Sequence, residues 1–310
     1  MKIVFFGTPE FAAHSLKTIL DNGYEVAAVV TMPDRRGGRG NRVIESDVKK
    51  LALERGLPVL QPEKLRDPLF LDELKQIDAD LFIVIAFRML PEVVWSMPRL
   101  GTFNLHASLL PQLRGAAPIN HAIIAGMERT GVTTFMIDAE IDKGNILLSE
   151  STDIEVDETA GSLHDRLMDM GAGLVVETIK GLMEGRITPH PQPDDLSLVP
   201  APKIFKENCR IDFSKSAVEV DRLVRGLCPY PAAWCNVSLE QGKAIDAKIL
   251  KVKVTDIPAS IPAGSCTVEN KRLYAAAADF MMEILELQPA GKKPMDSRAF
   301  LAGYHPVMFM

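Results

Sequence analysis

The stretch Phe103-Asn104-Leu105-His106-Ala107-Ser108-Leu109-Leu110-Pro111-Gln112-Leu113-Arg114-Gly115-Ala116-Ala117-Pro118 decides how this chain is to be read. Asn104 and His106 are two residues apart, so on an extended strand their side chains share a face. Pro111 cannot continue a hydrogen-bonded ladder, so the strand stops at Ser108-Leu109-Leu110-Pro111. A hydrogen-bond donor and a side chain that titrates near neutrality therefore stand together at the carboxyl end of a strand. Open α/β sheets hold their ligands there.

Working outward, the flanking residues show the alternation of strand and helix that builds a parallel sheet. Residues 3–6 and 25–31 read as strands. Thr8 is placed to cap the first helix, with Pro9 at its first position and an end near Gly23; Ser46 is placed to cap a second, ending near Gly56. Residues 81–86, Leu-Phe-Ile-Val-Ile-Ala, are continuously apolar, as in a strand covered on both faces. Residues 101–106 continue the sheet, 117–126 read as helix and 132–136 as strand. Leu163, Leu167, Met170, Leu174, Ile179 and Leu182 keep near-helical spacing until Gly185 ends the run. Five prolines then fall within residues 189–202, which favour extended backbone and read as a semi-rigid linker. Beyond it, a helix over 217–227 precedes apolar or alternating runs at 233–239, 247–254, 264–268 and 281–287. The expectation is an α/β domain over residues 1–188, with a Rossmann-like, mostly parallel sheet and flanking helices. A proline-rich linker over 189–208 and a smaller β-rich, barrel-like (OB-like) domain over 209–310 follow.

Bulk properties exclude several classes. A chain of 310 residues, 47% hydrophobic and 25% charged, can bury one large core or two ordinary ones. No apolar run approaches the roughly 18 residues that span a bilayer. Strand-like Ile3-Val4-Phe5-Phe6 follows Met1-Lys2 directly, so a cytoplasmic protein without a leader is expected. Cys209, Cys228, Cys235 and Cys266 have neither Cys-x-x-Cys spacing nor a nearby His pair, so reduced thiols and no metal site are expected. The turn Gly7-Thr8-Pro9-Glu10 lacks the glycines of a dinucleotide fingerprint, and Pro9 removes a backbone donor; no nicotinamide or flavin site is expected. Net charge is −6 but uneven: residues 1–200 carry 20 basic against 29 acidic side chains, and residues 201–310 carry 15 against 12. The asymmetry hints that the second part meets something anionic, although so small a surplus is also ordinary scatter.

Asp142, in Ile141-Asp142-Lys143-Gly144-Asn145-Ile146-Leu147, supplies a third polar residue. Singly, each has an ordinary explanation: a turn or capping Asn, a hydrogen-bonded half-buried His, a turn Asp before Lys-Gly. Together, set within Ser-Leu-Leu-Pro and Arg-Gly-Ala-Ala-Pro, they resemble the folate-dependent formyltransferases, and within that family the enzymes acting on methionyl-tRNA. The likeness covers almost the whole chain, from Phe6-Gly7-Thr8-Pro9-Glu10-Phe11 to Pro202-Lys203-Ile204 and Gln288-Pro289-Ala290-Gly291-Lys292-Lys293.

The resemblance implies transfer of the formyl group of 10-formyltetrahydrofolate to the α-amino group of methionine on initiator methionyl-tRNA. The amine adds to the formyl carbonyl, a tetrahedral oxyanion forms and the donor nitrogen leaves, with no metal and no covalent enzyme intermediate. Asn104 and His106 would polarise the carbonyl and manage its oxyanion. Losing one such donor typically costs about 10²–10³ in rate, and a histidine titrating near pH 7 is worth roughly 10²–10⁴. Asp142 would orient His106 or assist proton transfer from the amine. Ser108, Leu109, Leu110 and Pro111 match the folate-contacting segment. Phe87, Met89 and Leu90 fall where the wall of the pterin pocket is expected, with Ala86-Phe87-Arg88 standing where Ala-Tyr-Gly is common.

Residues 33–42, Pro-Asp-Arg-Arg-Gly-Gly-Arg-Gly-Asn-Arg, pack four arginines and three glycines into one loop. On pattern alone this is a solvated mobile loop or a phosphate-binding one. The resemblance implies the second, with Arg35, Arg36, Arg39 and Arg42 meeting tRNA and Arg39, between two glycines, foremost. Lys203, Lys206, Arg210, Lys248, Lys251, Lys253, Lys271, Arg272, Lys292 and Lys293 would add a diffuse basic surface holding the acceptor stem through its backbone; a solvated sheet face is equally consistent. A monomer is expected. Two alternatives stay open. A sugar-amine formyltransferase shares the two-domain plan, but the arginine-rich loop argues against it. A non-catalytic folate- or RNA-binding module would be expected to lack Asn104, His106 or Asp142.

Overall fold

The structure, a computed structural model, describes residues 1–37, 42–193, 197–240 and 242–310. Contacts divide it into two units that are not contiguous in sequence. Residues 1–118, 130–152 and 165–200 form the first; residues 119–129, 153–164 and 201–310 form the second.

In the first part of the chain, strands β1 (Lys2–Gly7), β2 (Glu25–Val30), β3 (Arg35–Gly37), β4 (Arg42–Ile44), β5 (Val59–Leu60), β6 (Leu81–Ile85), β7 (Thr102–His106), β8 (Arg129–Met136) and β9 (Ile146–Asp153) alternate with helices. The helices are α1 (Glu10–Asp21), α2 (Asp47–Glu54), α3 (Pro68–Ile77), α4 (Glu92–Trp95), α5 (Pro118–Ile124) and α6 (Ala160–Met183). Seven strands make one sheet in the order β5-β2-β1-β6-β7-β8-β9. From β5 to β7 all pairs are parallel, and β8 runs antiparallel to β7. All five residues of β6 are buried, as its unbroken apolar run requires. Val4, Phe6, Val30, Phe82 and Val84 face Phe70 and Leu74 of α3 and Val94 of α4 in one core. Leu105 of β7 meets α6 where Gly171 leaves room; a Cβ there would lie 2.7 Å from Leu105 Cδ2. The order of strands reverses between β1 and β6, and the crevice this opens lies beyond their carboxyl ends.

Local capping follows the sequence at α2, where Ser46 Oγ accepts from Lys49 N at 3.0 Å. At α1 it does not. Pro9 occupies the cap position in extended backbone, and the Thr8 hydroxyl is buried without a partner. Among the described residues, no helix is long and apolar enough to cross a membrane.

The second unit contains helix α7 (Ala217–Leu227), opened by a reciprocal cap between Ser216 and Glu219. Its strands β10 (Ala233–Leu239), β11 (Ala244–Pro258), β12 (Cys266–Glu269), β13 (Arg272–Ala276), β14 (Phe280–Pro289), β15 (Met295–Asp296) and β16 (Pro306–Phe309) are joined by a helix, α8 (Ser297–Leu301). The sheet runs β12-β13-β14-β11-β10-β16, with β15 added to β14. Its ends meet: Ser265 bridges Met308, and Phe309 N donates to Gly264 O at 2.7 Å. The result is a nearly closed antiparallel barrel. Gly264 makes this closure possible, since at φ +82° a Cβ would lie 2.3 Å from the Phe309 carbonyl oxygen. Strand β13, which the periodicity did not single out, is set by a tight turn with Asn270 and Lys271 at φ +50° and +64°.

Candidate active site

Asn104 and His106 lie at the carboxyl end of β7, on the same face of the strand. His106 is 6% exposed, and its Nε2 lies 2.8 Å from the Leu113 carbonyl. A carbonyl only accepts, so Nε2 carries a proton, and whenever the ring is neutral its lone pair stands at Nδ1. That atom faces Asp142 Oδ2 at 3.9 Å. The orienting partner of His106 is therefore a main-chain carbonyl, with the carboxylate set behind the free nitrogen. The ring also meets the edge of Phe135 at 6.4 Å. Asn104 Oδ1 is buried and has no hydrogen-bond partner. A buried polar atom left unpaired is costly and normally marks a contact made by something else.

The backbone around these side chains is held in uncommon conformations. Leu113 has φ +61° and Asp142 φ +54°. Gly115, at φ +129°, donates its N–H to Asp142 Oδ2 at 2.9 Å. Thr133 of β8 is fully buried opposite His106. Its hydroxyl donates to Ser108 O at 2.7 Å and accepts from Leu110 N at 3.2 Å, bolting the loop after β7 onto the sheet. The Ser108 hydroxyl is likewise spent within the loop, on Gln112 O at 2.7 Å. Leu113 N donates to Val199 O at 2.8 Å, and Val199 N donates to Gln112 Oε1 at 2.9 Å. Thr133, the Leu113 carbonyl, the Gly115 N–H and Val199 carry no sequence signal beyond being near the motif or within the proline-rich stretch.

The remaining expected residues are placed differently from one another. Ser108 and Leu110 are buried, Leu110 against Phe135 and Ile146, whereas Leu109 and Pro111 are half-buried. After β6, Ala86 takes φ +47°. Leu90 is buried in the core, Phe87 lies half-buried edge-on to Phe6 at 5.9 Å, and Met89 is 77% exposed. The Arg88 guanidinium stands over the Phe87 ring and donates to the carbonyls of Pro62 and Glu63; burial holds its pKa below the ordinary value. Arg88 is thereby turned toward residues 62 and 63. Arg35, Arg36 and Arg42 are exposed on the antiparallel ribbon β3–β4, in which Arg36 is paired with Val43. Arg39 lies outside the described residues. Among those described, no group of three or more His, Cys, Asp or Glu is gathered to hold a metal ion.

A parallel-rich sheet with Asn and His at a strand end, near a carboxylate, sets a hydrogen-bond donor and a proton acceptor where open α/β sheets hold their ligands. Residues 1–179 match the family described as Formyl transferase, and residues 203–305 that described as Formyl transferase, C-terminal domain. The chain belongs to the formyl transferases. It is 48% identical over 313 residues to the methionyl-tRNA formyltransferase of Parabacteroides distasonis, covering 99% of this chain and 97% of that one. To the methionyl-tRNA formyltransferase of Flavobacterium johnsoniae it is 47% identical over 303 residues, with 98% and 96% covered. The fold also superposes on the N-formyltransferase of Helicobacter canadensis, solved with folinic acid and dTDP-3-aminofucose. There the TM-score is 0.65 and the identity 21%, over 93% of this chain and 99% of that one.

Proposed function

We propose that this protein transfers the formyl group of 10-formyltetrahydrofolate to the α-amino group of methionine on initiator methionyl-tRNA, with Asn104, His106 and Asp142 as the reacting group. The observation that carries the reaction is the identity of 48% spread over 99% of the chain, both parts included. The structure-level likeness to sugar N-formyltransferases is one of fold.

The folate donor supplies an activated formyl group on nitrogen. What the chain supplies is a place for it. The side-chain N–H of Asn104 can donate to the formyl carbonyl and becomes most valuable as negative charge collects on it, while its buried, unpartnered Oδ1 can accept from a donor such as the attacking amine. Half-buried Phe87 and exposed Met89, after the adjacent strand, offer apolar surface for the pterin, and residues 108–111 follow directly on the strand that carries Asn104 and His106. The attacking amine has a reference pKa of about 7.7–8.0, so it must lose a proton. His106 Nδ1 is the atom free to take it. The imidazolium so formed keeps its Nε2–H on Leu113 O and gains Asp142 at 3.9 Å.

For the acceptor, the exposed ribbon with Arg35, Arg36 and Arg42 suits phosphate contact, and its base is tied down. Lys49 holds Asp34 at 2.5 Å and Gln61 holds it at 2.8 Å, which keeps the Asp34 carboxyl below its ordinary pKa. Arg39 is assigned to the same contact by its neighbours in sequence. In the second unit, Lys206 and Arg210 stand over the Trp234 ring at 5.3 and 5.8 Å, and Lys203 over Phe205 at 5.5 Å. Cations beside accessible rings suit a nucleic acid backbone and its bases. In this reading residues 1–188 are the catalytic part and 209–310 the tRNA-holding part of a cytoplasmic enzyme, and the stretch 189–208 expected as a linker gives Lys203 and Lys206 to the second unit. One copy carries every residue invoked, which supports a working monomer.

The test follows the formyl group. Labelled 10-formyltetrahydrofolate is given with charged initiator methionyl-tRNA, and in parallel with elongator methionyl-tRNA and with water alone. Label on initiator methionine with little free formate is expected. Formate release regardless of tRNA would mean a hydrolase, and no consumption would redirect attention to amino-sugar acceptors. His106→Ala should lower the transfer rate at least about a hundredfold while tRNA binding, measured by filter retention, persists. Transfer at the parent rate would remove His106 from the mechanism.

A further inference from the structure

Gln192 lies in the proline-rich stretch, and its side chain joins both loops that present the Asp142 carboxylate. Its Nε2 donates to the carbonyls of Asp142 and Gly144, at 2.9 and 2.8 Å. Its Oε1 accepts from Nε and Nη2 of Arg114, at 3.1 and 2.7 Å. The orientation of this amide is unambiguous, because Arg114 only donates and the two carbonyls only accept. Arg114 adjoins Gly115, whose N–H grips Asp142 Oδ2 at 2.9 Å. One amide therefore ties the segment that supplies the grip to the turn that supplies the carboxylate. The segment bearing Gln192 is itself held in register, since His190 and Ile146 exchange both main-chain hydrogen bonds, at 2.8 and 3.1 Å.

We propose that Gln192 is a positioning residue for formyl transfer: it touches no substrate, and it sets Asp142 behind His106 Nδ1 by fixing the 142–144 turn against Arg114 and Gly115. The proposal rests on the reading of Asn104, His106 and Asp142 as the reacting group. Its chemical content is that position 192 needs an acceptor on one side and a double donor on the other. A carboxylate keeps the first and loses the second. An apolar isostere loses both.

The experiment compares Gln192→Glu, Gln192→Met, Asp142→Asn and the double variant Gln192→Met/Asp142→Asn in steady-state transfer, with urea unfolding of each. Small displacements of a reacting group can cost about a hundredfold. Both Gln192 variants are therefore expected to lose about 10- to 100-fold in kcat while KM for the folate donor and for methionyl-tRNA is held. In the Asp142→Asn background the Gln192→Met change should cost little more, because the group it positions is already gone. Unchanged kcat in both Gln192 variants, a full multiplicative loss in the double variant, or unfolding of both Gln192 variants at the assay temperature would each overturn the proposal. Parent activity in Asp142→Asn alone would instead bring down the underlying site reading, so the two failures are told apart.

Discussion

His106 depends on a backbone atom. Its Nε2–H is received by the carbonyl of Leu113, a residue held at φ +61°, and Asp142 in the facing turn sits at φ +54°. Non-glycine residues in such conformations cost of order 1–3 kcal/mol each and persist where the surroundings over-determine them. Here the Val199 contact, the Gly115 N–H and the Gln192 amide do so. The turn tolerates no added atom at Gly144, where a Cβ would lie 1.6 Å from the Met136 carbonyl oxygen. Gly144→Ala is therefore expected to destabilise the protein by about 1–3 kcal/mol, seen as a lower urea midpoint, and to reduce transfer because Asp142 moves with the turn. An unshifted midpoint would show that the turn can relax away from β8. At this scale residue type and motif in the sequence pointed to Asn104, His106 and Asp142, and the structure brings His106 and Asp142 within 3.9 Å. The carbonyl of Leu113 and the N–H of Gly115 stayed hidden, since every residue of either kind carries the same group.

The element that departs most from its sequence expectation is the arginine-rich segment. Its pattern suggests a loop; the structure has two short antiparallel strands, Arg35–Gly37 and Arg42–Ile44. The ribbon also leaves Val43 and Ile44 58% and 55% exposed, beside the cations. Removing Arg35, Arg36 and Arg42 together by alanine substitution should raise KM for methionyl-tRNA and flatten its dependence on salt. Each phosphate that goes without its cation lowers the steepness of log affinity against log salt by about 1. Titrating tRNA at several salt concentrations checks this; a parent-like KM and slope would assign the ribbon another task. The proline-rich stretch departs in the opposite sense. It is legible as a linker because proline disfavours helix and central strand, yet residues 190, 192 and 199 hydrogen-bond to the turn and loop around the site. Nothing in its local pattern encodes those partners.

Across the whole molecule, closure of the second sheet depends on the last strand. Phe309 is 1% exposed, packs its ring 5.9 Å from that of Phe213, and belongs to the barrel core. Truncating a buried aromatic usually costs about 3–5 kcal/mol. Phe309→Ala is expected to do the same, with the loss read by chemical unfolding and accompanied by weaker tRNA use. A loss below about 1 kcal/mol, well short of that range, would mean that the bridge from Ser265 to Met308 closes the barrel unaided. The sequence by itself determined the alternation of strand and helix in the first part, the β-rich second part, and Asn104 and His106 at a strand end. These follow from burial patterns and motifs carried by consecutive residues. Only the tertiary structure decided which nitrogen of His106 holds the proton, which amide joins the two loops, and how the barrel closes. Those contacts link residues from 7 to 78 positions apart, mostly through main-chain groups, and only the folded chain brings such groups within hydrogen-bond distance.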